Sequence, residues 1–216
     1  MKIEAIEATR SPTGKLRLRF GDGSSLLVYP TVITELRLSV GMEIPDSAME
    51  SIRDSASRAS ARERAVRILS VSTVTEKELR RRLRQKGEQE EHGDQAVQWL
   101  KNLDLLDDGR AAEMIVAQGI AKGYGEARLR QMLYEKGVPR DLWQQALEDL
   151  PVPDDGIRTF LQKRFRGKTP DRTDIKRATD ALLRRGHKYG DIRRVMEEFT
   201  SSSEDDEFFQ YDDSEF

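Results

Sequence analysis

Three stretches of the chain repeat one another at nearly constant spacing. VTEKELRRRLRQKG ends at Gly87, YGEARLRQMLYEKG at Gly137 and TDIKRATDALLRRG at Gly186, so the steps are 50 and 49 residues. Each is a basic, leucine-punctuated helix that stops at glycine. A supersecondary unit reused at such a period buries its apolar face only by stacking on its neighbours, and a chain built this way usually offers a binding surface, not a pocket.

Within the units, Leu79 and Leu83 sit four apart on one stripe, Leu129 and Leu133 repeat that spacing 50 positions later, and Ala178 and Leu182 hold the equivalent places in unit three. Ser60 with Glu63, and Thr75 with Glu78, read as capping boxes, which predicts helices over 61–70 and 76–86. A third helix follows each glycine, over 94–103, 139–149 and 189–199, with Pro139 in a first-turn position where its missing N–H costs nothing. Unit three opens with a helix over 157–166, and PVPDD at 151–155 is the clearest joint between units.

Ahead of the repeats, residues 2–9, 15–20 and 24–29 read as strands, joined by turns at 11–14 and at Gly21-Asp22-Gly23. In KLRLRF, Leu16, Leu18 and Phe20 face one side and Lys15, Arg17 and Arg19 the other. Three strands alone bury too little, so the sheet should pack on a short helix over 31–38 that ends near Gly41. The expected fold is mainly α: three tandem three-helix repeats forming an elongated crescent of roughly 60–70 Å, preceded by a small antiparallel β-sheet. The expected divisions are 1–44, 45–106 with a lead-in helix, 107–150, 154–200 and an acidic, disordered tail over 201–216.

The formal net charge of −2 hides a division. Seven of the 39 acids lie in EDDEFFQYDDSEF at the end of the sequence; the other 32 face 37 bases, which leaves the rest of the chain at +5. A basic body suits a polyanion or an acidic protein face, and an acidic tail beside it can compete for the same site. Cysteine is absent, which excludes disulfides, thiolate zinc sites and cysteine nucleophiles. No stretch approaches the roughly 20 apolar residues of a membrane span, and MKIEAIEATR lacks the apolar run of a signal peptide, so a cytoplasmic protein is expected, with no membrane partner.

The densest charge feature is Arg80, Arg81, Arg82, Arg84 and Lys86. Arg128, Arg130 and Lys136 follow in unit two, and Lys176, Arg177, Arg184, Arg185 and Lys188 in unit three. Of these, Arg80, Arg81, Arg84, Lys86, Arg128, Arg130, Lys136, Arg177, Arg184, Arg185 and Lys188 are the candidate contacts to DNA phosphates or an acidic protein groove; ordinary solvated helix faces would look the same one helix at a time. Trp99 and Trp143, among leucines at helical spacing, read as core rather than as base-stacking platforms. Tyr124 and Tyr189 are better candidates for exposure. Gly123-Tyr-Gly125 lacks the third glycine and preceding strand of a phosphate loop, and Asp107-Asp108 reads as a helix start. The sequence contains neither HExxH, P-loop nor Ser-His-Asp order, so a non-enzyme without cofactor or metal is expected.

Leu106-Asp107-Asp108 with Arg110 and Ala112-Glu113, then Lys122-Gly123-Tyr124-Gly125, Leu129-Arg130 through Leu133, and Lys136-Gly137-Val138 together resemble the central repeat of the bacterial RecX family of regulatory proteins. Glu78-Leu79-Arg80 and Leu83 through Lys86-Gly87 extend the resemblance, which spans about residues 60–199 and is weakest in unit three, where 167–170 shift the register. The resemblance implies a modulator of the RecA recombinase that binds the RecA–single-stranded DNA filament, restrains its growth, and lowers its ATPase and strand exchange in recombination, DNA repair and the SOS response. It implies no catalytic residue, and nothing in the sequence demands more than a monomer. The tail departs from the family pattern. It resembles the acidic-aromatic tails by which single-strand-binding proteins recruit partners, and three readings stay open: it restrains the basic face, docks a partner, or is only an unstructured end.

A second class stays open: a DNA-binding protein acting without RecA, non-specifically or through a helix-turn-helix that reads duplex DNA. The second helices, almost entirely Arg, Lys, Glu and Leu, carry no obvious set of base-reading Asn and Gln residues at their starts. A plain protein-binding scaffold is the third class.

Overall fold

The computed structural model describes residues 1–10 and 14–201. The turn expected at 11–14, apart from Gly14, and the tail beyond Ser201 lie outside the described residues. The chain divides into two compact units, 1–107 and 108–216.

The first unit opens with strands β1 (Ile3–Ala8), β2 (Leu16–Phe20) and β3 (Ser25–Val28), antiparallel in the order β1-β2-β3. Leu18 stands opposite Ile6 and Leu26, so the alternation read in KLRLRF sets the register: Leu18 and Phe20 are buried while Arg17 and Arg19 are exposed. The outer edge of β1 is closed by the 41–44 segment, where the Ile3 amide donates to Met42 and the Gly41 amide to Ile3.

The short helix α1 (Pro30–Glu35) starts one residue earlier and stops sooner than 31–38, because Pro30 fits the first turn and Arg37 turns to φ +51°. A single helix of 26 residues follows, α2 (Asp46–Val71). This overturns the helix start assigned to Ser60. Asp46 to Val71 contains no Gly or Pro to break the helix, and Ser60 lies in its middle, its hydroxyl 3.3 Å from Glu88 and 3.5 Å from the Lys15 ammonium. At about 1.5 Å per residue the rod is about 39 Å long, and it serves two cores. Met49, Ile52 and Ala56 cover the sheet with Val32 of α1; Ala61 and Ala65 pack against α3 (Glu76–Gln85) and α4 (Glu90–Asn102) through Leu79, Leu83, Val97 and Leu100. Thr75 caps α3 as its sequence predicts, accepting from the Glu78 amide.

The second unit holds two three-helix modules. The first has α5 (Asp108–Ala121) and α6 (Glu126–Lys136); its third helix is broken into a 3-10 turn, Arg140–Leu142, and the short α7 (Trp143–Ala146). The continuous helix expected over 139–149 does not form. Pro139 is extended at ψ 139° and precedes the turn instead of joining it. The second module has α8 (Pro153–Phe165), α9 (Arg172–Arg184) and α10 (Tyr189–Ser201). Helix α8 begins four residues before the expected 157, since Pro153 takes its first turn and Asp154 and Asp155 complement its positive end; the joint therefore shrinks to Pro151 and Val152. Gly119 lets α5 and α6 cross closely, because a β-carbon there would come within 2.2 Å of Leu129.

The repeat is visible atom by atom at the ends of α3, α6 and α9. Gly87, Gly137 and Gly186 have φ of +84°, +72° and +86°. The amide after each donates to the carbonyl of the buried leucine four residues before it: Glu88 to Leu83 at 3.1 Å, Val138 to Leu133 at 3.0 Å and His187 to Leu182 at 3.2 Å. Glycine is needed for that left-handed closure. Leu79, Leu83, Leu129, Leu133, Ala178 and Leu182 are all buried, as their spacing predicts.

Candidate binding surface

Helix α3 carries its arginines above buried Leu79 and Leu83, and a carboxylate lies within reach of each arginine. Arg80 donates to Asp94 at 2.7 Å and to Glu76 at 3.2 Å; Arg84 donates to Glu90 at 2.8 Å. Arg81 and Arg82 converge on Glu78, at 2.8 and 2.7 Å. Glu78 is itself buried, and the Arg81 guanidinium, seconded by Arg82 against the cost of burial, holds its carboxyl at about 2. Each guanidinium has five N–H groups, so Arg81 and Arg84, both more than half exposed, keep outward donors after pairing. Lys86 is exposed and makes no ion pair among the described residues.

Helix α6 repeats part of this pattern. Arg130 pairs with Glu126 at 2.8 Å as Arg80 pairs with Glu76, at positions equivalent when counted back from the glycines. Each of these glutamates also takes a second cation: Lys101 on Glu76 at 2.5 Å and Lys188 on Glu126 at 3.5 Å. Arg130 chiefly, then Lys188, hold the Glu126 carboxyl below its usual range. Arg128 lies 3.5 Å from Glu135 and 6.0 Å above the Tyr124 ring. In α9 the equivalent of Arg130 is Thr179, so the pair is lost there. Lys86, Lys136 and Arg185, each immediately before the glycine, are the cations that all three helices share. That place favours a positive charge through the helix dipole alone.

The two modules of the second unit meet end to end. The amides of Gly125 and Ala127, at the start of α6, donate to the carbonyls of Arg185 (2.9 Å) and Gly186 (3.3 Å), at the end of α9. The end of one helix thus satisfies the start of the other, and α6 needs no capping side chain. Arg185 donates to the Lys122 carbonyl and His187 Nε2 to that of Gly123, both at 3.2 Å. Burial keeps the His187 imidazole below its ordinary pKa. The loop of Gly123-Tyr-Gly125 is therefore occupied by protein carbonyls, and Tyr124, expected to be exposed, is half-buried against the module core. Tyr189 is exposed.

Trp99 and Trp143 are half-buried core residues, as read from the sequence. Arg62 lies 5.3 Å above the Trp99 ring, and Trp143 Nε1 donates to the Val138 carbonyl.

Beside this joint a cleft of about 900 Å³ opens among α6, α8 and the loops of 120–126, 150–153 and 185–188. Of the candidate residues the structure brings Arg185 and Lys188 to it; Arg128, Arg130 and Lys136 on α6, and Arg177 and Arg184 on α9, lie outside. Lys122, Lys163 and Arg164 line it and were missed. Lys122 stands before a left-handed glycine, Gly123 at φ +70°, the same signal that marks Lys86, Lys136 and Arg185. Among the described residues, no cluster of three His, Asp or Glu side chains could hold a metal, and no helix is long and apolar enough to cross a membrane.

Known proteins share this organisation. Residues 61–100 match the first three-helix domain of RecX and residues 107–147 the second. The regulatory protein RecX of Trichlorobacter lovleyi is 35% identical over 143 residues, 62% of this chain and 91% of that protein. That of Cronobacter sakazakii is 32% identical over 152 residues, covering 63% and 90%. Among solved structures, a crystal structure of regulatory protein RecX superposes with a TM-score of 0.65 over 91% of this chain and 98% of the other at 23% identity. RecX from Lactobacillus salivarius gives 0.57 over 66% and 96% at 22% identity. The fold is thus shared, and at 32–35% identity over nine-tenths of two relatives, the chain belongs to the RecX family of regulatory proteins.

Proposed function

We propose that the chain regulates the RecA recombinase by binding the RecA–single-stranded DNA filament and restraining its growth, ATPase and strand exchange, in recombination, DNA repair and the SOS response. Membership of the RecX family carries this reading. Such an activity works by binding alone, without catalytic group or cofactor. The basic faces of α3, α6 and α9 suit it: on α3 and α6 guanidiniums are held in place by carboxylates yet keep outward donors for phosphate or acidic side chains, and on α9 Arg177 and Arg184 are exposed without an ion pair among the described residues. The protein acts in the cytoplasm as a monomer.

The test is the ATPase rate of RecA preassembled on single-stranded DNA, titrated with this protein well below one copy per RecA subunit. Inhibition at such ratios is expected, since a regulator of filament growth acts on many subunits at once. No effect at equimolar protein, with DNA binding retained, would overturn the reading in favour of a DNA-binding protein that acts without RecA.

A further inference from the structure

We infer that the cleft between the two modules of the second unit is the docking site for the chain's own segment 202–216. This goes beyond filament binding, and its test uses no RecA. The cleft has apolar walls and a cationic rim. Its walls include Phe160, Ile120 and Leu150, with Val152 left 64% exposed to water. Its rim carries Lys122, Lys163 and Arg164, none of which makes an ion pair among the described residues, together with Arg185 and Lys188. Three carboxylates also line it, but Glu126 is engaged by Arg130 and Lys188, and Asp191 by Arg194, which leaves Asp155. A ligand for such a cleft is anionic and aromatic at once. EDDEFFQYDDSEF has that composition: Glu204 to Glu207 supply four consecutive acids, and Phe208, Phe209 and Tyr211 follow directly.

The tether permits the contact. Lys188 and Asp191, at the start of α10, line the cleft, and α10 runs 13 residues to Ser201. Segment 202–216 therefore begins about 20 Å from the cleft by helix length. Its fifteen residues span at most about 50 Å when extended. Tethering at that range supplies an effective concentration on the order of millimolar, so weak contacts suffice for occupancy. The docked segment shields the rim cations, and an anionic partner that uses them must displace it.

Because the chain has no cysteine, an introduced pair forms the sole possible disulfide within one molecule. The full chain carrying Thr159→Cys and Gln210→Cys is compared with one carrying Gln131→Cys and Gln210→Cys; Thr159 is an exposed cleft residue, and Gln131 is exposed on α6 outside the cleft. In a glutathione buffer the first pair should close roughly tenfold faster or more, as docking raises the local concentration of one cysteine at the other. The excess should vanish at high salt, and when Glu204→Gln, Asp205→Asn, Asp206→Asn and Glu207→Gln are added. Free peptide 202–216 should compete only at about millimolar concentration. Equal rates for the two pairs, closure indifferent to salt and to the acidic substitutions, or bridging only between molecules would each overturn the proposal.

Discussion

Gly125 faces the carbonyl of Gly186 so closely that a β-carbon on it would lie 2.4 Å from that oxygen. The φ of Gly125, −81°, is open to any residue, so its need for glycine is steric and comes from the other module.

Gly125→Ala should therefore destabilise the second unit by about 1–3 kcal/mol, the usual cost of overpacking a close contact. Gly190→Ala is the comparison: nothing lies within 4 Å of a β-carbon there, and the residue is in α10. It should be neutral or stabilising by up to about 1 kcal/mol. Urea unfolding followed by circular dichroism measures both. Equal stabilities would mean that the modules do not meet in solution through these glycines.

Glu78 gives a pH dependence. Its folded pKa of about 2 lies below the ordinary 4.5, so its ion pairs contribute fully above pH 4.5 and are lost as pH falls toward 2. Arg81 is 58% exposed, so solvent screening holds the contribution to about 1–3 kcal/mol. Glu78→Gln should cost that amount at pH 7, and the gap between variant and parent should close as pH is lowered through 4.5 to 2. A gap constant with pH would assign the loss to packing instead.

Ser60 and Thr75 present nearly the same local pattern and take different places. Thr75→Ala removes a buried cap and should cost about 1–2 kcal/mol. Ser60→Ala, inside α2 and with only long hydrogen bonds to lose, should stay within about 0.5 kcal/mol of the parent. Thermal unfolding of the two variants distinguishes them, and a comparable loss for Ser60→Ala would restore a helix start there.

That contrast marks how far the sequence could be read. Strands, leucine stripes and left-handed glycines are local signals, and the three-helix periodicity follows from them. The continuity of α2 is also written locally, in 26 residues without Gly or Pro, and the pair of Ser60 and Glu63 inside that run imitates a capping box without breaking the helix. The abutment of α9 on α6 is contact between residues some 60 apart, and no local pattern announces it. The neutralisation of the arginines was half visible. Glu76 and Glu78 precede Arg80 and Arg82 by four residues, whereas Asp94 approaches from α4 and only the fold supplies it.

His187 should titrate below 6.5, because burial disfavours its charged form. Stability of the second unit is then full above pH 6.5 and falls as pH drops from there toward the folded pKa, where the unfolded chain binds the proton first. The chain has two histidines, so proton NMR yields two imidazole titrations, and His187→Gln assigns them. A midpoint at or above 6.5 for His187 would mean that the burial of its ring at the joint between the modules is not kept in solution.

The candidate cations divide by what already holds them, and filament binding should divide the same way. Lys86, Arg177 and Arg184 are exposed and make no ion pair among the described residues. Arg82 is bound to Glu78 and Ser72. Replacing Lys86, Arg177 and Arg184 by alanine should leave the unfolding midpoint unchanged. Where these cations meet phosphate, binding should weaken, and the slope of log affinity against log salt should fall by about 0.7 for each single-strand contact removed. Arg82→Ala should do the reverse, lowering stability with little change in slope, since its charge is spent within the fold. Binding to RecA–single-stranded DNA filaments, measured by fluorescence anisotropy between 50 and 300 mM salt, separates the two kinds. An unchanged slope in the triple variant would assign these three side chains to solvated helix faces and move the phosphate contact to Arg80, Arg81 and Arg84, whose outward N–H groups remain available.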